Sequence, residues 1–258
     1  MARYQLTLSY DGTDFFGSQR QAKRRTVQGE LEDALHTLGW TGRSILIAGR
    51  TDTGVHATGQ VAAFDLDWPH TDGDLVRALN ASLPADMAVR DVHVVGAKFH
   101  PRFDALSRRY RYKLFCQSLR DPIRERFAWR VSSEFDENVL VSSAKIFLGT
   151  HDFSAFGSPT TPKGTTVRTV TKSEWTQVEK DEWHYEVQAD AFLYRMVRRL
   201  VFVQVAVAQG KVSAEAVAHS LAKQAPAGKR SVYPAGLAPA HGLTLVEVTY
   251  PPVESIGQ

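Results

Sequence analysis

One carboxylate stands out by its setting. Asp52 lies in the polar run Gly49-Arg50-Thr51-Asp52-Thr53-Gly54-Val55-His56, directly after the apolar stretch Ile45-Leu46-Ile47-Ala48. Loops that leave an apolar strand are common mounts for catalytic groups, and a carboxylate there could act as a nucleophile or take a proton. A plain turn fits the same residues, with Asp52 bonding its own backbone and Gly54 supplying a positive φ. Tyr110 alternates with charged residues in Tyr110-Arg111-Tyr112-Lys113-Leu114-Phe115 and reads as a strand residue packed on the core. Arg198 falls early in a largely apolar helical segment, where an arginine usually snorkels to solvent or pairs locally. Basic residues cluster at Arg20, Lys23, Arg24 and Arg25, at Arg108, Arg109 and Arg111, and at Lys163, Arg168, Arg195 and Arg199. Such clusters suit the phosphates of a nucleic acid. None of the 9 histidines, His56, His100, His151 and His241 among them, has a second histidine or cysteine at paired ligand spacing, so no metal site is expected.

Periodicity gives the elements that must carry these groups. Tyr4, Leu6, Leu8 and Tyr10 alternate with polar residues as in a half-buried strand that ends at Asp11-Gly12. Thr26 caps a helix with Val27, Leu31, Leu35 and Leu38 on one face, ended by Gly39. Residues 44–48 and 59–64 read as strands on either side of the Asp52 loop, 74–83 as a helix stopped by Pro84, and 88–95 as a strand. A comparable order follows: a strand at 110–115, a helix at 138–148 ended by Gly149, a hairpin at 170–178 and 183–189, a helix at 193–208, and a helix from Ser213 to about Lys223. Residues 226–239 read as a Pro-, Gly- and Ala-rich loop, 243–250 as a closing strand, and the last residues as a frayed end. The expected fold is α+β: two related mixed halves, 1–104 and 105–258, with largely antiparallel sheets and helices packed on them.

The 258 residues, 43% of them hydrophobic, suffice for a substantial core. The formal net charge is only +3, yet the pI is near 9.0, compatible with a polyanionic partner without requiring one. Cys116 is the only cysteine, which excludes an intrachain disulfide and points to a reducing compartment. The first residues lack the pattern of a signal peptide, and no apolar run approaches the roughly 18 residues of a membrane span. A cytoplasmic protein without a membrane partner is expected.

The run Ala48-Gly49-Arg50-Thr51-Asp52-Thr53-Gly54-Val55-His56-Ala57-Thr58-Gly59-Gln60-Val61 resembles the signature loop of the tRNA pseudouridine synthase I family. The likeness continues in order through Leu8-Ser9-Tyr10-Asp11-Gly12-Thr13, Gln19-Arg20-Gln21, Phe99-His100, Ser107-Arg108-Arg109-Tyr110-Arg111-Tyr112 and Gly149-Thr150-His151-Asp152-Phe153-Ser154. It ends with Ala189-Asp190-Ala191-Phe192-Leu193-Tyr194-Arg195-Met196-Val197-Arg198 and Ala238-Pro239-Ala240-His241-Gly242-Leu243. Three positions depart from the family pattern: Ser18 where tryptophan is usual, Thr53 where alanine is usual, and Phe202 where glycine is usual.

The resemblance implies the pseudouridine synthase fold and isomerisation of uridine in the anticodon stem-loop of tRNA, at nucleotides 38 to 40. It makes Asp52 the essential aspartate, Tyr110 the aromatic residue beside the target base, and Arg198 the aspartate's basic partner. Arg50 would help extrude the nucleotide, and Arg20, Arg24, Arg25, His56, Arg108, Arg109 and Arg168 would contact RNA. The reaction breaks the bond from ribose C1′ to uracil N1 and rejoins C1′ to C5, and it requires the base to be flipped out of its stack. The family implies no cofactor and a homodimer crossed by the tRNA. Two rival readings keep parts of this site: a glycosidase using Asp52, which would want a second flanking carboxylate, and an RNA-binding module without catalysis.

Overall fold

The computed structural model describes residues 1–161, 164–222 and 235–252. Lys163, Lys223, the 226–234 part of the Pro- and Gly-rich loop and the terminal residues from 253 lie outside the described residues. The chain forms two compact units, one of residues 1–107 with the closing segment from Thr244, the other of residues 108–243. The fold is mixed α and β, and its strands pair mostly antiparallel.

The first unit contains β1 (Ala2–Tyr10), α1 (Val27–Thr37), β2 (Leu46–Ile47), β3 (His56–Leu66), α2 (Asp72–Ser82) and β4 (Met87–Val95). Its sheet runs β4-β1-β3, the closing strand Leu243–Thr249 follows β3 in parallel through Thr244↔His56 and Leu245↔Ala57, and β2 also pairs with β3. The expected division assigned that closing strand to the second half; its ladder with β3 joins it to the first. Strand β1 turns Tyr4, Leu6, Leu8 and Tyr10 inward, as its period-two pattern requires. Strand β3 is buried on nearly every residue, which suits the small Ala57, Ala62 and Ala63 of a strand flanked on both sides.

Thr26 caps α1 by accepting the Gly29 N–H, and α1 buries Leu31 and Leu35 completely, each worth roughly 1.5–3 kcal/mol over exposure. Thr71 and Asp74 form a reciprocal capping box at the start of α2. The strand expected over 44–48 shrinks to two residues because a buried side chain takes its backbone: Glu32 Oε1 accepts the Ile45 N–H at 3.0 Å.

The second unit contains β5 (Ser107–Cys116), β6 (Trp129–Val131), α3 (Glu137–Ser143), β7 (Gly149–Asp152), β8 (Val167–Glu179), β9 (Glu182–Ala189), α4 (Met196–Ala208) and α5 (Ala214–Ala222). Its sheet runs β5-β9-β8-β7, with β6 parallel to the outer side of β5. One face carries Tyr112, Leu114, Val187, Tyr185 and Trp175, and α4 covers it, with Gln204 Oε1 accepting the Trp175 indole N–H at 2.8 Å. The other face carries charged residues. The helix expected over 138–148 is helical only to Ser143 and tightens into a 3₁₀ turn through Phe147. The helix expected from 193 begins at Met196 because Arg195 takes φ +61, a left-handed backbone that cannot continue it. Strands β6 and β7, three and four residues long, are too short for periodicity to announce. Among the described residues no helix is long and apolar enough to cross a membrane.

Candidate active site

Asp52 occupies the loop between β2 and β3, half-buried, at the head of a tight turn. Its carbonyl accepts the Val55 N–H at 3.1 Å, and Gly54 sits at the third position with φ +79, the conformation a type II turn demands there. The turn reading of the sequence therefore describes the backbone correctly, and the turn is what presents the carboxylate.

The residues just before Asp52 are fixed from three directions. Ser18 Oγ accepts the Thr51 N–H at 2.8 Å, and the Ser18 N–H donates to the Thr51 carbonyl at 3.1 Å. Tyr10 and Thr51 hydroxyls are 2.8 Å apart, and the Gln60 amide donates to the Gly49 carbonyl at 2.8 Å. Tyr10, Ser18, Thr51 and Gln60 are all buried. Burial pushes the Tyr10 phenol above its usual range, against the pull of Thr51 and Gln60, so it remains a neutral hydrogen-bonding group.

After the turn, His56 opens β3, is 5% exposed and accepts the Gly12 N–H on Nδ1 at 2.9 Å, with Asp11 Oδ1 3.1 Å from the same nitrogen. A side chain this buried braces the loop from within. Gly12 is obligatory, because a Cβ there would stand 2.0 Å from the Val55 carbonyl oxygen. Gly17, at φ +83, has the same reason on the other side: a Cβ would meet the Thr51 oxygen at 2.8 Å.

The arginines of the first unit divide sharply. Arg50 is exposed beside Asp52. Arg25 makes a two-pronged bond to Asp86 at 2.7 and 2.8 Å, reaches Glu30 at 2.8 Å and lies over the Phe15 ring. These carboxylates raise its pKa further, chiefly through the Asp86 hydrogen bond. Arg25, expected to contact RNA, is thus held by two carboxylates of its own unit while its side chain stays 32% exposed. Arg20 donates to the buried Glu32 at 2.7 Å and to the Arg43 carbonyl at 3.1 Å while its side chain stays half-exposed. Arg24 is exposed and stacks 4.5 Å above the Phe16 ring.

In the second unit, Tyr110 lies inward on β5, 8% exposed, its ring edge-on to Phe192 at 5.2 Å. Arg198 stands in the first turn of α4, and its Nε donates to the Ala238 carbonyl at 2.8 Å. The Ala238 N–H returns a bond to the Arg198 carbonyl at 3.1 Å, and the Tyr112 hydroxyl donates to the Pro239 carbonyl at 2.8 Å. The 238–239 segment is thus tied to Arg198 and Tyr112 together. Phe202 lies against Gly236, where a Cβ would come within 2.2 Å of its ring; the bulky residue at 202 is accommodated by the glycine facing it. Arg195, Arg198 and Arg199 crowd the start of α4, which has no acidic residue in its first turn. Cations at a helix N-terminus oppose the helix dipole, so together they make a strongly positive end suited to an anion.

Arg108 and Arg109 point to opposite faces of β5. Arg108 shares the buried face with Tyr110 and donates to the Asp190 carbonyl at 2.8 Å. Arg168 enters β8 at the same end of the sheet, half-buried, with Nη1 donating to the Thr165 and Val167 carbonyls. Burial lowers its pKa, and the Asp190 charge opposes that shift. Arg109 lies on the uncovered face, 3.5 Å from Glu186, which also binds Arg111 and Lys172 at 2.6 Å each. Arg109 is therefore partly neutralised on the face away from Tyr110. Sequence reasoning assigned Tyr10, Ser18 and Gln60 no role at the site; Gln60 shares the run Val55 to Phe64 with two other polar residues, His56 and Thr58, and so did not stand out.

The family model described as tRNA pseudouridine synthase matches residues 7–104 and 143–251. The chain is 42% identical over 253 residues to tRNA pseudouridine synthase A of Chloroflexus aurantiacus, covering 96% of this chain and 88% of that protein. It is 43% identical to the protein of that name from Solidesulfovibrio magneticus, covering 97% and 92%, and 38% identical to that of a Geobacter species, covering 97% and 100%. The chain belongs to the tRNA pseudouridine synthase family. A solved Cbf5-Nop10-Gar1 complex aligns with a TM-score of 0.35 and 11% identity over 77% of this chain and 44% of that one, a likeness too slight to add to the assignment.

Proposed function

We propose that this protein isomerises uridine to pseudouridine in the anticodon stem-loop of tRNA, at nucleotides 38 to 40. Membership of the family supports an isomerase acting on tRNA. The observation that carries the site is the Asp52 turn, whose preceding backbone is pinned by Ser18, Tyr10 and Gln60 while the carboxylate stays half-buried.

Asp52 acts on the nucleotide by adding to the sugar or base, or by removing a sugar proton. The C1′–N1 bond breaks, uracil turns, C1′ bonds to C5, N1 gains a proton and C5 loses one. No atom is gained or lost overall, so the chemistry asks for no cofactor. The roles that the family resemblance implies for the second unit complete the reading: Arg198 would serve as the basic partner of the aspartate, and Tyr110 would face the base and help remove the C5 proton. Arg50 holds the flipped nucleotide out of its stack. Arg24 and Arg195, both exposed, are the phosphate partners best supported by position, and Arg108 and Arg168 are proposed beside them. We also propose a cytoplasmic homodimer with tRNA touching both copies, to be checked by sedimentation with and without tRNA.

The test is to incubate a tRNA transcript with wild-type and Asp52→Ala protein and map pseudouridine. Wild type is expected to modify the anticodon arm and the variant to be inactive. Product formed equally by the variant would sink the assignment of Asp52, release of free uracil would indicate a glycosidase, and tRNA binding without any product would indicate a binding module.

A further inference from the structure

We infer that Ser18 is a positioning residue for the reaction, resting on the reading of Asp52 as the catalytic carboxylate. Its side chain is 1% exposed, and its hydroxyl oxygen accepts the N–H of Thr51, the residue that carries Asp52 into the turn. The backbone of Ser18 makes the complementary bond, its N–H to the Thr51 carbonyl at 3.1 Å. Both polar groups of the Thr51 peptide backbone are thereby satisfied by one residue, on a segment separated from it by 33 positions in sequence.

The neighbouring contacts explain why the hydroxyl matters. Thr51 cannot exchange its Ser18 bond for solvent, since it is 7% exposed and its own hydroxyl is already engaged by the buried Tyr10. Gly17, directly before Ser18, lets the two segments meet, a Cβ there falling 2.8 Å from the Thr51 oxygen and 3.6 Å from the Asp52 carbonyl carbon. The loop is fitted so closely that removal of one acceptor leaves a buried N–H unsatisfied, and the nearest relief is movement of the 51–52 backbone. Asp52 is one residue further along, and small misplacements of a catalytic group lower the rate of the chemical step far more than they weaken substrate binding. Ser18 therefore acts through Thr51 on Asp52 and need not touch RNA.

The experiment compares wild type, Ser18→Ala, Ser18→Thr and Asp52→Ala on a tRNA transcript, measuring kcat, KM, tRNA affinity and Tm. Ser18→Ala is expected to lower kcat by about 10- to 100-fold with KM and affinity within about twofold. Ser18→Thr, which retains the hydroxyl but must fit one more methyl at a buried site, is expected to keep more of the rate than Ser18→Ala. Amide hydrogen exchange at Thr51, referred to the β1 amides of the same protein, should be slow in wild type and selectively faster in Ser18→Ala, which separates loosening of the loop from global unfolding. Unchanged kcat in Ser18→Ala with Asp52→Ala inactive would overturn the positioning role and leave the catalytic reading intact. A change confined to KM, or unchanged Thr51 exchange, would overturn it as well. Activity in Asp52→Ala would remove the reading on which it rests.

Discussion

What holds Asp52 is the backbone on both sides of it, so residues with no reactive group govern the site. Gly12 is the sharpest case, since its Cα faces the Val55 carbonyl on the far side of the Asp52 turn. Gly12→Ala is expected to destabilise the fold by about 2–4 kcal/mol through overpacking against backbone. It should also reduce activity at temperatures where the protein is still folded; urea unfolding and turnover at 15 °C check the two parts. The arginines beside the loop divide by the same kind of local reasoning. Arg25→Ala removes a two-pronged partner from Asp86 and packing from Phe15, and should cost about 1–2 kcal/mol of stability. Arg24→Ala should leave stability within about 0.5 kcal/mol and weaken tRNA binding instead, because its guanidinium lies over Phe16 on an exposed surface. Denaturation and filter binding on the two variants separate the roles, and equal effects on both measurements would remove the distinction.

At the scale of elements, long periodic segments were legible in the sequence and special backbone conformations were not. The inward set Tyr4, Leu6, Leu8 and Tyr10 of β1, and the Thr26 cap and Leu31–Leu35 face of α1, follow from spacing alone. The Asp52 loop was located correctly between strands, but its turn and its carboxylate could not be ranked as site or scaffold without the family resemblance. The clamp was invisible because it joins residues distant in sequence, Ser18 with Thr51 and Gln60 with Gly49, and hydrogen bonds of that kind leave no period. The fate of Arg25 and Arg109 was equally hidden, since charge clusters do not reveal which carboxylates fold against them. The entry to α4 was misjudged by three residues because Arg195 adopts a left-handed φ that few non-glycine residues take. That strain implies a measurable trade-off. Arg195→Gly should leave stability unchanged or raise it by up to about 1 kcal/mol, since glycine adopts this φ without a Cβ penalty. It should weaken tRNA binding severalfold by removing a cation from the helix entry. Loss of stability with unaltered binding would show that Arg195 serves packing instead.

For the molecule as a whole, a net charge of +3 conceals many cations already matched by carboxylates. Among the described residues, the Glu186 cluster on the charged face of the second sheet joins three cations to one carboxylate and gives stability a defined dependence on pH. Burial alone would raise the Glu186 carboxyl, but hydrogen bonds and charge from Lys172 and Arg111 bring it down to about 2 from an ordinary 4.5. A carboxyl whose folded value is depressed binds protons less readily in the folded protein than in the unfolded chain. Its stabilisation is therefore complete above about 4.5 and is lost as pH falls from there toward 2. Because Lys172 and Arg111 are both more than a third exposed, solvent screens part of this effect, and about 1–2 kcal/mol is expected at neutral pH. Glu186→Gln keeps the side-chain volume and removes the charge, leaving Arg109, Arg111 and Lys172 facing one another. The stability gap between wild type and variant, followed by urea unfolding from pH 7 downward, should hold constant to about pH 5 and then close progressively as the wild-type carboxyl is protonated. A gap that persists undiminished at pH 3 would mean that Glu186 acts through packing rather than charge. Raising the salt concentration at pH 7 should narrow the same gap, since only the charge component is screened.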